Sequence, residues 1–264
     1  MFRKFRAAAV TAVACLIAVS CAREEAAVSS ASSETNDRAS RIAAAVANPA
    51  RPEKDRADDV MRKPERVLAF IGIEPGMRVF EMEGGAGYYT ELFSPLVGPS
   101  GEVVMQSPES FDAFLGEAIS ERVIGRLDNV RLTKSNFDAL DAADGSMDMV
   151  TWMLGPHELY YMPNGEPLGD AAAAFAEVWR ILKPGGTFIV LDHSAAPGAP
   201  PSTGGTIHRI DQAIIRNLVE RAGFMLAGES DVLRNPDDNF EMTVFDPSVR
   251  RKTDRFLLKY KKPE

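Results

Sequence analysis

The side chains with the greatest chemical potential in this 264-residue sequence are its three histidines. His157 follows an apolar run that ends at Leu154, and His193 follows a second run that ends at Leu191. His208 lies just before an amphipathic segment. Because imidazole titrates near neutral pH, each of the three is a candidate catalytic base or substrate-orienting group.

Several polar residues stand close to these histidines in the chain. If the two apolar runs are neighbouring strands of an open α/β sheet, their carboxyl ends share the edge at which ligands bind. We therefore expect the histidines to converge on one pocket with these polar residues, which are Glu158, Tyr160, Asp192, Arg209 and Asp211. The plainer alternative is that polar residues simply collect in loops and that Tyr160 only covers the core.

A metal site is a second interpretation of the same residues, since imidazole and carboxylate groups bind transition metals. However, the sequence has no HExxH motif or other short ligand spacing, and two cysteines cannot supply a four-thiolate zinc site. The sequence therefore predicts no metal site. A metal-dependent hydrolase is the least favoured of the possible functions.

A glycine-rich turn is the second candidate site. The apolar segment 77–82 is typical of a strand and runs directly into Glu83-Gly84-Gly85-Ala86-Gly87. Residues 88–97 then carry apolar side chains at helical spacing. Glycines let the backbone approach a ligand, and the start of a helix offers free N–H groups. The pattern predicts a ligand-binding loop, although such turns also occur for packing reasons.

The remainder of the chain after residue 50 alternates between strand and helix patterns. Further strands are predicted at 102–106, 130–134, 147–154, 187–191, 224–230 and 255–260, and helices at 65–71, 111–125, 170–182 and 207–222. This alternation predicts an α/β fold with a mostly parallel sheet covered by helices on both faces. The continuous apolar run 188–191 is typical of a strand buried on both sides.

Four segments resemble motifs of class I S-adenosylmethionine-dependent methyltransferases. Residues 79–87 (VFEMEGGAG) resemble motif I, and residues 179–187 (WRILKPGGT) resemble the R-x-L-K-P-G-G segment before strand five. Residues 146–150 resemble the strand-four segment of that superfamily, and residues 136–140 resemble its acidic loop after strand three. The four matches occur in the order that the superfamily requires.

Three further segments, 84–91, 208–211 and 233–238, are similar to a bacterial, exported group known mainly as predicted methyltransferases. The resemblance implies a Rossmann-like, seven-stranded sheet of order 3-2-1-4-5-7-6 with strand seven antiparallel. It also implies S-adenosylmethionine as the cofactor. The activity that it implies is transfer of the sulfonium methyl group to a small-molecule acceptor, which the sequence does not identify.

The resemblance further implies which residues bind the cofactor. Glu81 would organise the turn, and Asp138 would approach the adenine amine. The glycines that would line the methionine portion are Gly84, Gly85 and Gly87.

Two positions depart from the pattern of the superfamily. Glu83 stands where the first glycine of motif I is usual. Gln106 stands where an acid at the end of strand two would bind the ribose hydroxyls, and an amide oxygen is a weaker acceptor than a carboxylate. An alternative function is therefore an exported, methyltransferase-like module whose degraded cofactor site binds another ligand.

Composition and net charge limit the classes of protein to which this chain can belong. The chain is 45% hydrophobic and 26% charged, which is typical of a globular protein and excludes a wholly disordered one. Its formal net charge is -8, whereas a protein that tracks nucleic-acid phosphates needs a basic face. We expect a small-molecule partner and no nucleic acid.

The N-terminus resembles an export signal. Basic residues among the first six precede the uncharged run Ala7–Val19, which suits a signal-peptide core better than a membrane span. Residues 18–21 resemble a bacterial lipobox, with Cys21 as the lipidated residue. We expect a signal peptide at 1–20, a flexible tether at 21–50 with a short helix near 39–47, and the enzyme-like domain at 51–264. The protein would then be periplasmic, either soluble or held at the membrane through Cys21 alone.

Overall fold

The computed structural model describes residues 35–123 and 125–264, and within them a seven-stranded sheet forms the centre of the fold. The strands are β1 (Arg78–Met82), β2 (Glu102–Ser107), β3 (Val130–Lys134), β4 (Met147–Met153), β5 (Leu182–His193), β6 (Met225–Ser230) and β7 (Arg255–Lys261). Their order is β3-β2-β1-β4-β5-β7-β6. β7 is antiparallel to both neighbours, and the other adjacent pairs are parallel. The predicted order and the antiparallel seventh strand are confirmed.

Helices cover both faces of this sheet, as predicted. They are α1 (residues 35–47), α2 (Glu53–Arg62), α3 (Pro64–Ile71), α4 (Tyr88–Val97), α5 (Asp112–Val123), α6 (Ala171–Ile181), α7 (Thr203–Ile207) and α8 (Gln212–Arg221). Successive strand side chains point to opposite faces, so Val79 and Phe80 belong to different core clusters. One cluster includes α6 and α8, and the other includes α1, α3 and α4.

The folded domain begins before residue 51, which is the boundary that the sequence predicts. Helix α1 packs against the domain through Ile42 and Ala45, which are both buried. Arg51, which follows α1, is also buried and forms an ion pair with Asp59 of α2 at 2.8 Å. The flexible-tether prediction is therefore wrong for residues 35–50. The short helix expected near 39–47 is present but longer, and the alanine-rich composition concealed its packing, because only a few larger apolar residues mark its buried face.

The predicted signal peptide at 1–20, the predicted lipidation at Cys21 and the part of the predicted tether at 21–34 lie outside the described residues. Among residues 35–123 and 125–264, no helix has the length and hydrophobicity needed to cross a membrane.

Candidate functional site

The turn between β1 and α4 places bare backbone beside an open space. Glu83, Gly85 and Gly87 are left-handed, with φ of 50°, 55° and 82°. A Cβ added to Gly85 would have the Glu83 carbonyl oxygen, 4.0 Å away, as its nearest neighbour. A Cβ added to Gly87 would lie only 2.4 Å from Arg122 Cδ. Gly85 is therefore open to a ligand, whereas Gly87 packs against Arg122 and is not among the residues that line the cavity beside the turn, so its predicted contact with the cofactor stays a prediction.

A cavity of about 400 Å³ lies beside this turn, and we call it the turn cavity. Gly84 and Gly85 line it together with α2, the start of α4 and the segment 250–251. Its charged lining residues are Lys54, Asp55, Asp58, Arg62, Glu81, Glu83, Arg250 and Arg251. Because both signs of charge face the cavity, it suits a ligand that carries both an anionic and a cationic group.

Helix α2 is held over the glycine turn by buried ion pairs. Arg122 Nη1 of α5 lies 2.5 Å from Asp55 Oδ2 of α2 and 3.5 Å from Glu91 Oε2 of α4. Arg126 reaches the other Glu91 oxygen at 2.9 Å. These contacts join three helices around the cavity. Sequence reasoning missed the part that α2 plays, because its charged residues are typical of a solvated helix face.

Glu81 is a buried acid at the floor of the turn cavity. The Thr90 hydroxyl donates a hydrogen bond to Glu81 Oε2 at 2.5 Å. Burial raises the pKa of Glu81 to about 8, and this outweighs the opposite effects of Thr90 and Arg122. Glu81 is therefore mostly protonated at neutral pH in the ligand-free protein.

This raised pKa predicts how Glu81→Gln changes stability with pH. An unfolded glutamate ionises near 4.5, and folded Glu81 ionises near 8, so the cost of ionising it in the fold grows across that interval. We expect E81Q to gain stability relative to wild type as pH rises, by a few kcal/mol in total. Urea unfolding of both proteins from about pH 5 to about pH 9 measures this. A stability difference that stays constant across the range would contradict the buried, protonated acid.

Gln106 of β2 does not present its amide to a ligand. The residue is fully buried, and its Oε1 accepts a hydrogen bond from the Glu83 amide at 2.8 Å. Its Nε2 donates to the Ser135 carbonyl at 2.6 Å. Gln106 therefore ties the glycine turn to the loop after β3, which corrects its predicted role in cofactor binding.

Asp138, which follows β3, also contacts the protein. Its Oδ2 accepts a hydrogen bond from the Asp170 amide at 2.9 Å, next to the start of α6. Asp138 is half-buried and is not among the residues that line the turn cavity. Its predicted contact with adenine stays a prediction.

Glu83 reaches from the turn towards the ends of β4 and β5. Its Oε2 accepts a hydrogen bond from Trp152 Nε1 at 3.1 Å and lies next to Gly155. A Cβ on Gly155 would be 2.2 Å from that oxygen, so the close approach depends on glycine. Desolvation and the nearby Glu158 carboxylate hold the pKa of Glu83 well above its usual value. The carboxylate is thus held against Trp152, and no Glu83 side-chain atom lies within 4 Å of the Cβ position of Gly85.

A second cavity, of about 330 Å³, shares Glu83 with the turn cavity as a lining residue, and we call it the apolar cavity. Its apolar and aromatic lining residues are Phe111, Phe114, Leu115, Tyr161 and Phe245, and its polar ones are Glu83, Glu158 and His208. Phe114 and Phe245 are 62% and 57% exposed. Tyr161, rather than the predicted Tyr160, lines the cavity, because Tyr160 packs against α7 near Gly204.

The three histidines converge, as we expected. The ring centre of His157 lies 6.0 Å from that of His193 and 5.3 Å from that of His208. His157 follows β4 on a short 3-10 helix (Pro156–Tyr160), His193 ends β5, and His208 follows α7. The carboxyl ends of two parallel strands therefore meet at one edge, where ligands bind in open α/β sheets.

Asp192 orients His157 instead of contacting a substrate. It is fully buried, and its Oδ1 lies 2.7 Å from His157 Nδ1. The backbone amides of His157 and His193 each donate to its carboxylate at 2.7 Å. Burial lowers the pKa of His157, but the Asp192 and Glu158 carboxylates outweigh this and raise it to about 10. A histidine that already carries its proton does not act as a general base, which corrects that part of the prediction for His157, whereas its predicted role in orienting a substrate stays a prediction.

His193 has the opposite electrostatic environment. Its Nδ1 lies 2.7 Å from the Thr253 hydroxyl. Burial, and then the positive charges of His157 and Arg255, hold the pKa of His193 well below its usual value. His193 is therefore neutral at physiological pH.

Arg209 and Asp211 form hydrogen bonds within the protein that stabilise the fold. Arg209 is fully buried, and its guanidinium forms two hydrogen bonds with Asp238, at 2.7 and 3.1 Å. The helix predicted at 207–222 is broken at this point, because α7 ends at Ile207 and α8 begins at Gln212. Asp211 caps α8 by accepting a hydrogen bond from its second residue at 2.9 Å. The predicted substrate contact of Arg209 is therefore wrong.

Several known proteins have sequences similar to that of this chain. The protein named ubiquinone/menaquinone biosynthesis C-methyltransferase UbiE from Pasteurella multocida (strain Pm70) is 32% identical over 171 residues, which are 65% of this chain and 58% of that protein. The protein of the same name from Shewanella sp. (strain W3-18-1) is 34% identical over 123 residues, which are 47% of this chain and 45% of that protein. The chain thus spans about half the length of these relatives.

Solved structures share the fold. A SAM-dependent methyltransferase from Aquifex aeolicus superposes with a TM-score of 0.56 at 20% identity, covering 80% of this chain and 95% of that one. A putative methyltransferase from Haloferax volcanii, solved with the activator Trm112, superposes with a TM-score of 0.54 at 22% identity, and it also covers 80% of this chain and 95% of that one. The model of the ubiE/COQ5 methyltransferase family matches residues 59–234, from α2 to the loop after β6. The resemblance to class I methyltransferases is thereby confirmed, and the chain belongs to the ubiE/COQ5 methyltransferase family.

Proposed function

We propose that this protein is an S-adenosylmethionine-dependent methyltransferase that acts on an apolar, ring-bearing small molecule. The observation that carries the proposal is the pair of cavities that share Glu83 as a lining residue. One cavity borders bare glycine backbone and mixed charges, and the other borders aromatic side chains. Glu83 lines both, so ligands in the two cavities would approach each other at this residue.

The residues of the turn cavity fit the cofactor. A side chain at Gly85 would fill the space that its bare backbone leaves open. The methionine portion carries a carboxylate and an ammonium group, and the cavity wall offers cations such as Arg62 and acids such as Asp58. When bound, S-adenosylmethionine supplies a methyl group activated by its sulfonium. The protein needs mainly to align donor and acceptor and to exclude water, and α2 closes the cavity over the turn.

The apolar cavity supports an aromatic acceptor. Phe111, Phe114 and Leu115 are spaced to share one side of α5 and of the turn before it, and Tyr161 and Phe245 face the same space. Flat aromatic ligands pack well against such rings. The relatives are named for ubiquinone and menaquinone biosynthesis, which involves ring compounds of this kind. A quinone-type precursor is therefore the acceptor class that we propose.

One observation favours a second candidate, a module that has lost the cofactor. Gln106 stands where a carboxylate would bind the ribose hydroxyls, and its amide is fully buried and bonded to Glu83 and Ser135 instead. Such a protein would keep the fold and bind a different ligand in the turn cavity.

Calorimetric titration of the full chain with S-adenosylmethionine and S-adenosylhomocysteine separates the two candidates. We expect micromolar binding of both compounds. Absent or millimolar binding would contradict the methyltransferase and favour the repurposed module.

The acceptor class has its own test. We expect S-adenosylhomocysteine to form when S-adenosylmethionine is incubated with hydroxylated aromatic compounds and the full chain. Phe114→Ser should raise the KM for the acceptor severalfold without changing the affinity for S-adenosylhomocysteine. Met162→Ser is the matched control, because Met162 is similarly exposed, at 59%, but does not line the apolar cavity. Equal effects of the two substitutions would contradict the assignment of that cavity to the acceptor.

A further inference from the structure

Two side chains at the wall of the apolar cavity, Glu158 and His208, and the neighbouring buried His157 are spaced like the ligands of one metal ion. Glu158 Oε1 lies 3.2 Å from His157 Nε2 and 3.0 Å from His208 Nδ1. Ligand atoms of all three residues lie within 4.8 Å of one another. Zinc ligands at bond lengths of about 2.0–2.2 Å in tetrahedral geometry are separated from each other by about 3.3 Å. A single ion could therefore contact all three side chains with small shifts.

The buried acid behind His157 completes the usual environment of a metal-binding histidine. Asp192 Oδ1 lies 2.7 Å from His157 Nδ1, which leaves Nε2 directed towards Glu158. Two backbone amides fix the Asp192 carboxylate in turn. Metal-binding histidines characteristically donate their second ring N–H to a carboxylate, which sets the orientation of the ring. Here that arrangement is already in place.

A second, independent observation is an unsatisfied oxygen. Glu158 is only 8% exposed, and its Oε2 has no hydrogen-bond partner among the described residues. A buried carboxylate oxygen without a partner is costly, and buried charges are normally paired or bound to metals. A cation beside Glu158 would satisfy this oxygen.

The fold brings His208 to this position by a close helix contact. A Cβ on Gly204 would lie 2.4 Å from the His157 carbonyl oxygen, and one on Gly205 would lie 2.2 Å from that of Tyr160. Only glycine permits α7 to pack so closely on the 3-10 helix that carries His157 and Glu158. The ring of His208 then contacts Phe245 edge-on, with 4.8 Å between ring centres.

We propose that His157, Glu158 and His208 bind one divalent transition-metal ion, of the zinc or iron type, at the wall of the apolar cavity, and that the ion displaces to solvent the proton that His157 Nε2 carries in the metal-free protein. Two imidazoles and one carboxylate favour such ions over magnesium or calcium, which prefer oxygen ligands. Glu158 and His208 line the cavity, so the remaining coordination positions face a bound molecule and can take one of its oxygen atoms. The metal site stands whether or not the protein transfers methyl groups.

Metal binding by the full chain tests this proposal. The protein, prepared without a histidine tag and stripped with a chelator, is titrated calorimetrically with Zn²⁺, Mn²⁺ and Mg²⁺. Bound metal is then counted by elemental analysis after dialysis. We expect one equivalent of Zn²⁺ with micromolar or tighter affinity, and much weaker binding of Mg²⁺. No binding tighter than millimolar, or Mg²⁺ binding as tight as Zn²⁺, would overturn the proposal.

Ligand variants locate the ion. His208→Gln and Glu158→Gln should each weaken Zn²⁺ binding by at least about tenfold. His193→Gln is the matched control, because His193 belongs to the same histidine group but contacts Thr253 and not Glu158. Thermal unfolding and S-adenosylhomocysteine binding check that each variant is folded, and they keep a failure of the metal site distinct from a failure of the cofactor site. Equal Zn²⁺ affinity of folded H208Q and H193Q would refute the assignment.

Discussion

Replacing Asp238 with alanine should lower the free energy of unfolding by about 3–5 kcal/mol. Asp238 and Arg209 are both buried, and their two hydrogen bonds, at 2.7 and 3.1 Å, neutralise the guanidinium. The Asp254 amide also donates to Asp238 at 2.6 Å. Without the carboxylate, a full positive charge remains in the interior, which costs more than the pair itself contributes.

Urea unfolding of the D238A protein at neutral pH measures this loss. Asp237→Ala is the matched control, because the neighbouring Asp237 is exposed, and its removal should change stability by no more than about 0.5 kcal/mol. A double variant with Arg209→Met and Asp238→Leu should recover most of the stability, since it removes both charges together. Equal losses for D238A and D237A would show that the buried pair is not what stabilises this region.

The fold could be predicted from the sequence because its local signals agree with one another. The alternation of strand and helix patterns and the continuous apolar run in β5 both indicate a mostly parallel, doubly covered sheet without help from distant residues. The packing of helix α1 has the opposite character. A short helix near 39–47 could be predicted, but its contact with the core through Ile42 and Ala45 could not, because that contact is invisible in an alanine-rich segment taken alone.

The position of the site could also be predicted, but the direction of its side chains could not. Gln106, Asp192 and Arg209 all lie at the expected edge of the sheet, yet each is fully buried and bonded within the protein. A polar residue at a strand end turns inward when a partner is available there. Those partners include Asp238, which is 29 positions away from Arg209 in the chain, so no local pattern reveals them.

Two signals in the sequence could have found residues that we missed. The pair Gly204-Gly205 precedes His208 by a few positions, and adjacent glycines in a short helix indicate a close backbone approach. The spacing of Phe111, Phe114 and Leu115 places three apolar side chains on one side of a helical segment. That pattern is the same for a buried helix, so only the exposure of Phe114 in the structure marks it as a cavity wall.

The second large effect that we expect is a loss of ligand affinity when the glycine turn is changed. This prediction rests on the proposed function. Gly85→Ala should weaken binding of S-adenosylhomocysteine by about tenfold to a hundredfold, or roughly 1.4–2.8 kcal/mol. The added Cβ would meet no protein atom nearer than 4.0 Å, so it projects into the turn cavity without disturbing the packing of the ligand-free protein. The loss of affinity should therefore come from the space that the ligand needs.

The backbone strain of this change can be separated from its effect on the cavity. Gly145, in the exposed turn before β4, has a φ of 57°, close to the 55° of Gly85, and a Cβ there would have open space around it. Gly145→Ala should therefore cost about the same stability, roughly 1 kcal/mol, and leave the affinity unchanged. Calorimetry and urea unfolding of both variants measure the two quantities. If G85A and G145A bind S-adenosylhomocysteine with equal affinity, no ligand approaches the turn as closely as its bare backbone permits. That result would contradict the proposed cofactor site.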